Sequence, residues 1–129
     1  MKGYIVNLEQ ETLENSLYRK VLFTSHYSQL VLMCLRPGEE IGEETHGLDQ
    51  FIRIEQGSGK VVLDGEEDTI EGDYAIVIPA STRHNIINTS ESVNLKLYTV
   101  YSPPNHLDGT IHKTKADEKE EHFDGKVSG

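Results

Sequence analysis

The chain has 129 residues and a formal net charge of −10, with 12 Lys and Arg against 22 Asp and Glu and a hydrophobic fraction of 36%. That length suits one domain, which buries roughly two-thirds of the surface its unfolded chain exposes. A nucleic-acid backbone or an anionic membrane surface calls for clustered cations that so acidic a chain lacks, and neither is expected as a partner.

The first sixteen residues read as an N-terminal arm in which Leu8, Leu13 and Leu17 anchor either an irregular segment or a short helical turn. Met1-Lys2-Gly3-Tyr4 shows no signal-peptide h-region, and no stretch approaches transmembrane length. Short runs rich in Leu, β-branched and aromatic residues follow at 17–24, 28–36, 50–56, 59–64, 74–79, 84–89 and 93–102. Turn residues punctuate them: Arg36-Pro37-Gly38, Gly57-Ser58-Gly59, Asp64-Gly65 and Glu71-Gly72-Asp73. Asp64-Gly65, between Val61-Val62-Leu63 and Thr69-Ile70, predicts a tight hairpin. Nothing in this region keeps a helical period, so the expected fold is all-β, a sandwich or small barrel spanning 17–102.

The only cysteine, Cys34, sits in the apolar run Leu30 to Leu35 and is expected to be a small buried hydrophobe. A chain without an intrachain disulfide suits a reducing cytoplasm. Ser102-Pro103-Pro104-Asn105 stops the last strand, and 103–129 forms a C-terminal segment. Its mixed-charge stretch Lys113 to Glu121 reads as a solvated tail or a short helix carried by charge pairs.

The charge is concentrated. Twelve acids and two bases lie between Glu39 and Asp73, so this window accounts for the whole net charge and the rest of the chain balances. Within it stands Glu44-Thr45-His46. Residues i and i+2 of a strand share a face, so Glu44 and His46 can converge on one point. Gln50 keeps that parity, and His84 opens a later strand. A carboxylate, two imidazoles and an amide oxygen on one concave face make a site for a divalent transition metal. With Gln50 inward, Ile52 and Ile54 point inward and Phe51, Arg53 and Glu55 outward; with His84 inward, so is Ile86, leaving Ile87 outside.

The spacing Gly38, five residues, Glu44, one, His46, three, Gln50, six, Gly57 resembles the first conserved motif of the cupin superfamily. Gly72, then Pro79, His84 and Asn88, resembles the second, with one extra residue between Gly72 and Pro79 and Ser81 where glycine is typical. The resemblance covers about residues 30–100 and implies a double-stranded β-helix (jelly-roll) barrel with metal ligands pointing into one end. Family sites usually combine three His with one Glu. The matching positions here are Glu44, His46, Gln50 and His84, so the carboxylate has moved rather than vanished. Zinc, manganese, iron, nickel and cobalt all suit such a set. The family habit of pairing through a sheet face, with Phe51 and Ile87 outward, implies a homodimer.

Further residues are candidates for contact with a small-molecule ligand: Arg36 and Arg83 for an anion, Tyr98 on the last strand, and His106 and His112 in the tail. Tyr98 and Tyr101 have opposite parity, so at most one faces the cavity. The segment 103–112 either packs on the surface or folds back across a barrel mouth as a lid. Three functions are compatible with these features. The first is a metal-dependent enzyme acting on a small polar metabolite with Glu44 or a metal-bound water as base; the likeness to mannose-6-phosphate-isomerase-like cupins suggests sugar isomerisation. The others are a metal-dependent dioxygenase and a non-catalytic binding protein. The few bases near the motifs, Arg36, Arg53, Lys60 and Arg83, argue against a highly anionic substrate.

Overall fold

The computed structural model describes residues 2–129. The arm carries a helix, α1 (Leu8–Glu14), so the second of its two expected forms is the one present. Asn7 caps it by accepting the Gln10 backbone N–H at 3.1 Å. Eight strands follow: β1 (Arg19–Thr24), β2 (Gln29–Leu35), β3 (Asp49–Gln56), β4 (Ser58–Leu63), β5 (Glu66–Glu71), β6 (Ala75–Ile78), β7 (His84–Asn88) and β8 (Leu95–Ser102). A two-residue strand, β9 (Ile111–His112), and a 3-10 turn at Lys115–Asp117 lie in the C-terminal segment. The strands form two antiparallel sheets, ordered β6-β3-β8-β2-β1-β9 and β5-β4-β7. This is the jelly-roll arrangement.

All seven expected strand runs are present, and two further strands are not among them. β5 completes the hairpin turned by Asp64-Gly65, but five of its six residues are exposed, so it lacks the alternation that marks a half-buried strand. β9 exists because its two residues pair with Arg19 and Lys20 of β1, a long-range match that no local pattern encodes.

The core lies between the sheets. Val31, Leu35, Ile52, Ile54, Ile86, Leu95 and Leu97 are fully buried, each contributing roughly 1.5–3 kcal/mol of apolar burial. On β3 the inward set is Gln50, Ile52 and Ile54, as parity requires. Cys34 is buried within this body, and burial pushes its thiol upward from the ordinary range.

Two glycines allow close backbone approaches, Gly57 against the start of β8 and Gly59 within the second sheet. Gly57 adopts φ +95°, and a Cβ there would lie 2.6 Å from the Asn94 carbonyl oxygen. A Cβ on Gly59 would meet the Ile87 carbonyl oxygen at 2.1 Å, so β4 and β7 approach this closely only because the side chain is absent. Asn88 closes the second motif by donating from its buried amide to the carbonyls of Leu35 and Val93. Ser81, where the family has glycine, takes φ +73°, a left-handed conformation that costs a side-chain-bearing residue about 1 kcal/mol. Its N–H donates to the His46 carbonyl at 2.7 Å.

Candidate functional site

Three separate pieces of chain bring the expected ligands together. The segment after β2 runs antiparallel beside β7. Ile41 N–H donates to the Ile86 carbonyl, and Glu44 and His84 exchange two backbone hydrogen bonds of 2.9 Å. That ladder sets the Glu44 side chain next to His84, and His46 follows two residues on. Gln50 enters from the first residues of β3, opposite Tyr101 of β8.

The donor atoms of Glu44, His46 and His84 all lie within 4.8 Å of one another. The two imidazole centroids are 5.2 Å apart. His84 is 4% exposed, and its Nδ1 lies 2.9 Å from the Thr82 carbonyl oxygen. A carbonyl can only accept, so Nδ1 carries the hydrogen and Nε2 keeps its lone pair for a ligand. His46 Nε2 stands 2.7 Å from Glu44 Oε2. The hydrogen that contact needs is the one a bound cation displaces.

Gln50 supplies an independent test of fit. Its Nε2 donates to the Thr99 hydroxyl at 3.1 Å, while its buried Oε1 has no partner. An unsatisfied buried acceptor carries a penalty of about 1–3 kcal/mol, and a cation held by the neighbouring carboxylate and imidazoles would remove it. The donor types and the orphaned oxygen therefore both fit a divalent transition metal.

Of these groups Glu44 and His46 open onto a chamber of about 490 Å³ lined also by Arg19, Thr45, Asn105, His106 and the stretch Glu118 to His122, whereas His84 lines a separate cleft. The outer wall of the chamber is thus the C-terminal segment. That segment is tied back by β9, by Phe123 N–H to the Asn105 carbonyl and by Ser128 N–H to the Thr24 carbonyl. Tyr101 is 3% exposed, and burial pushes its hydroxyl up to about 12, so it is a donor at neutral pH. His106 packs edge-on against the Tyr101 ring at 5.2 Å. Burial, reinforced by the Arg19 guanidinium, brings its imidazole down to about 3, so it is neutral.

The other candidate contact residues divide by position. His106 lines the chamber. His112 does not; its Nδ1 accepts from Arg19 Nη1 at 3.1 Å, and burial holds its imidazole below the ordinary value. Arg36 sits exposed in the turn after β2 and does not line the chamber. Arg83 points outside, paired with Glu43 at 2.9 Å beside a shallower cleft of about 310 Å³. Tyr98 lies on the outer face of β8 with its ring 6.4 Å from Phe51, and Tyr101 faces inward in its place. Leu95 and Leu97 carried the deciding signal, because they share the parity of Thr99 and Tyr101. Arg19 was missed altogether. It is 3% exposed and stands at a buried position of β1 in the sequence Arg-Lys-Val-Leu-Phe-Thr, where its parity with Val21 was the available clue.

Comparison with known proteins places the chain in a family. The Bacillus subtilis protein YrkC is 46% identical over 123 residues, covering 90% of this chain and 66% of its own length. A protein of Acanthamoeba polyphaga mimivirus is 50% identical over 113 residues, 84% of this chain and 70% of its own. The chain thus spans about two-thirds of the length of these relatives. The crystal structure of BH2720 from Bacillus halodurans superposes with a TM-score of 0.87 at 43% identity, covering 90% of this chain and 92% of that one. The cupin-domain family profile matches residues 31–101, and with both motifs seated in a jelly roll the chain belongs to the cupins.

Proposed function

We propose that this cupin is a metal-dependent enzyme of the isomerase type acting on a small, polar, sugar-like metabolite. The observation that carries the reading is the convergence of Glu44, His46 and His84, two of which line a solvent-open chamber. A divalent ion held there would supply Lewis acidity toward a carbonyl or hydroxyl oxygen. Glu44 takes the role of proton acceptor through a carboxylate oxygen that faces the chamber. The Tyr101 hydroxyl is a fixed donor, and Ile52 and Ile54 behind Gln50 exclude water from the barrel interior. Four carboxylates, Glu44, Glu118, Glu120 and Glu121, share the chamber with two permanent cations, Arg19 and Lys119. That balance disfavours a phosphorylated or otherwise polyanionic substrate.

The donor set itself favours a second reading. Two His with one carboxylate and open positions is also the arrangement that non-haem iron uses for oxygen chemistry. Two attributes accompany either activity. Phe51 and Val77 are cross-strand partners on the outer face and remain exposed, which supports pairing with a second copy. A single free, buried cysteine supports a reducing, cytoplasmic setting.

Elemental analysis of protein purified without chelator tests the centre. Wild type should carry near-stoichiometric metal, and His84→Ala should lose most of it, with affinity down about 100-fold or more. A metal-free wild type, or a variant that keeps its metal, would sink the reading. The metal-loaded protein is then incubated with aldoses and ketoses in deuterated water. Deuterium entering a carbon-bound position marks isomerisation, oxygen uptake marks the second reading, and binding without either marks a non-catalytic pocket.

A further inference from the structure

The chamber wall opposite the ligand cluster holds a cation whose setting calls for explanation. Arg19 is 3% exposed, and a buried guanidinium is costly unless its donors are met. Its ion-pair partner among the described residues is Glu118, reached through Nη1 alone at 2.9 Å. The same nitrogen also lies 3.1 Å from His112 Nδ1, while the Tyr18 ring covers the guanidinium at 5.2 Å. Arg19 Nε is buried with no partner. One nitrogen therefore serves two acceptors, and a second desolvated donor has none.

Glu118 is attached differently. Its side chain is one-third exposed, and it follows the 3-10 turn rather than lying in a strand. That turn is secured by groups other than the Glu118 carboxylate: Thr114 and Asp117 cap it reciprocally, and Lys115 bonds the Glu40 carbonyl. The carboxylate can leave Arg19 without unfastening the segment that carries it.

We propose that Arg19 is a carboxylate-binding residue of the chamber and that Glu118 is an internal stand-in which a ligand's carboxylate displaces. A guanidinium presents a planar fork suited to two parallel hydrogen bonds, and a carboxylate free of a backbone tether can use both. Because Arg19 lines the same chamber as Glu44 and His46, the ligand class is a monocarboxylate that also bears hydroxyl or carbonyl oxygens. One carboxylate replacing another leaves the pairing at Arg19 unchanged, whereas the second charge of a dianion would face the chamber's own carboxylates unpaired. The inference rests on the proposed function only for the polar, sugar-like part of the ligand.

Gluconate and its uncharged analogue gluconamide are the probes, titrated into the metal-free and the metal-loaded protein. Wild type should bind gluconate about tenfold more tightly than gluconamide in both forms, as expected for a charge-assisted pair. Glu118→Gln should tighten gluconate about three- to tenfold by removing the competitor and leave gluconamide unchanged. Arg19→Gln should abolish the preference. Because that variant empties a buried site, Arg19→Lys serves beside it, with melting curves to show that both fold. A Glu118 that is merely structural predicts the opposite sign, looser gluconate binding in Glu118→Gln. That result, or equal affinity for the two probes in wild type and Glu118→Gln, overturns the inference. Deuterium exchange into neutral sugars does not depend on these titrations, so the isomerase reading can fail or survive separately.

Discussion

The ligand cluster stands between two kinds of wall. Behind it, Gln50, His84, Thr99 and Tyr101 stand on strands whose neighbours are fully buried, and their directions are set by sheet parity. Across the chamber from Glu44 and His46, Glu118 to His122 lie on a turn and extended chain, almost wholly exposed and held by a few backbone hydrogen bonds. The strand wall fixes His84 and Gln50 in direction. The tail wall carries groups that need to move or exchange partners. Rigidity and adjustability are thus assigned to different parts of one site.

Three experiments would break or sharpen that contrast. Thr99→Val strikes the strand wall by removing the acceptor of the Gln50 amide. It should cost about 1–3 kcal/mol, read by urea denaturation, and should weaken metal retention by freeing the amide to rotate. A loss of stability without any change in metal content would separate Gln50 from the centre.

The next test concerns His106, where the tail meets the barrel. Its imidazole titrates near 3 in the folded protein against an ordinary value of 6.5, so the unfolded chain binds the extra proton between those limits. Stability from this group is complete above pH 6.5 and is lost as pH falls toward 3, at up to about 1.4 kcal/mol per pH unit. Wild type should therefore lose on the order of 1–2 kcal/mol more than His106→Gln between pH 7 and pH 5. Parallel denaturation midpoints for the two proteins would show that His106 is not held neutral.

The smallest effect should come from Ser81→Gly. Relief of the left-handed backbone exceeds the entropy gained by the unfolded chain only slightly, giving about 0.5 kcal/mol of stabilisation. A destabilised variant would mean that the Ser81 side chain contributes something its φ value does not reveal.

The strand wall was legible in the sequence because its information is local. Parity places Glu44 with His46 and Gln50 with Ile52, and the two motifs fix His84. Tyr101 obeys the same rule, since Leu95, Leu97 and Thr99 share its parity and Tyr98 does not. The tail wall was not legible. Arg19 meets His112 and Glu118 across more than ninety residues, and β9 comprises two residues whose pairing depends on β1 being there already. The mixed-charge Lys113 to Glu121 stretch resembles any solvated run, yet one of its carboxylates lies against a buried guanidinium.

The hairpin strand β5 has a consequence of its own. It forms the edge of its sheet, with an unpaired backbone row and the side chains of Glu66, Glu67, Asp68 and Glu71 exposed. Another strand approaching that edge would bring like charges together, so the exposed ladder resists fibril-like stacking with its own kind. These four of the twelve acids between Glu39 and Asp73 thus help keep concentrated protein in solution, and neutralising them should promote aggregation while the chamber stays intact.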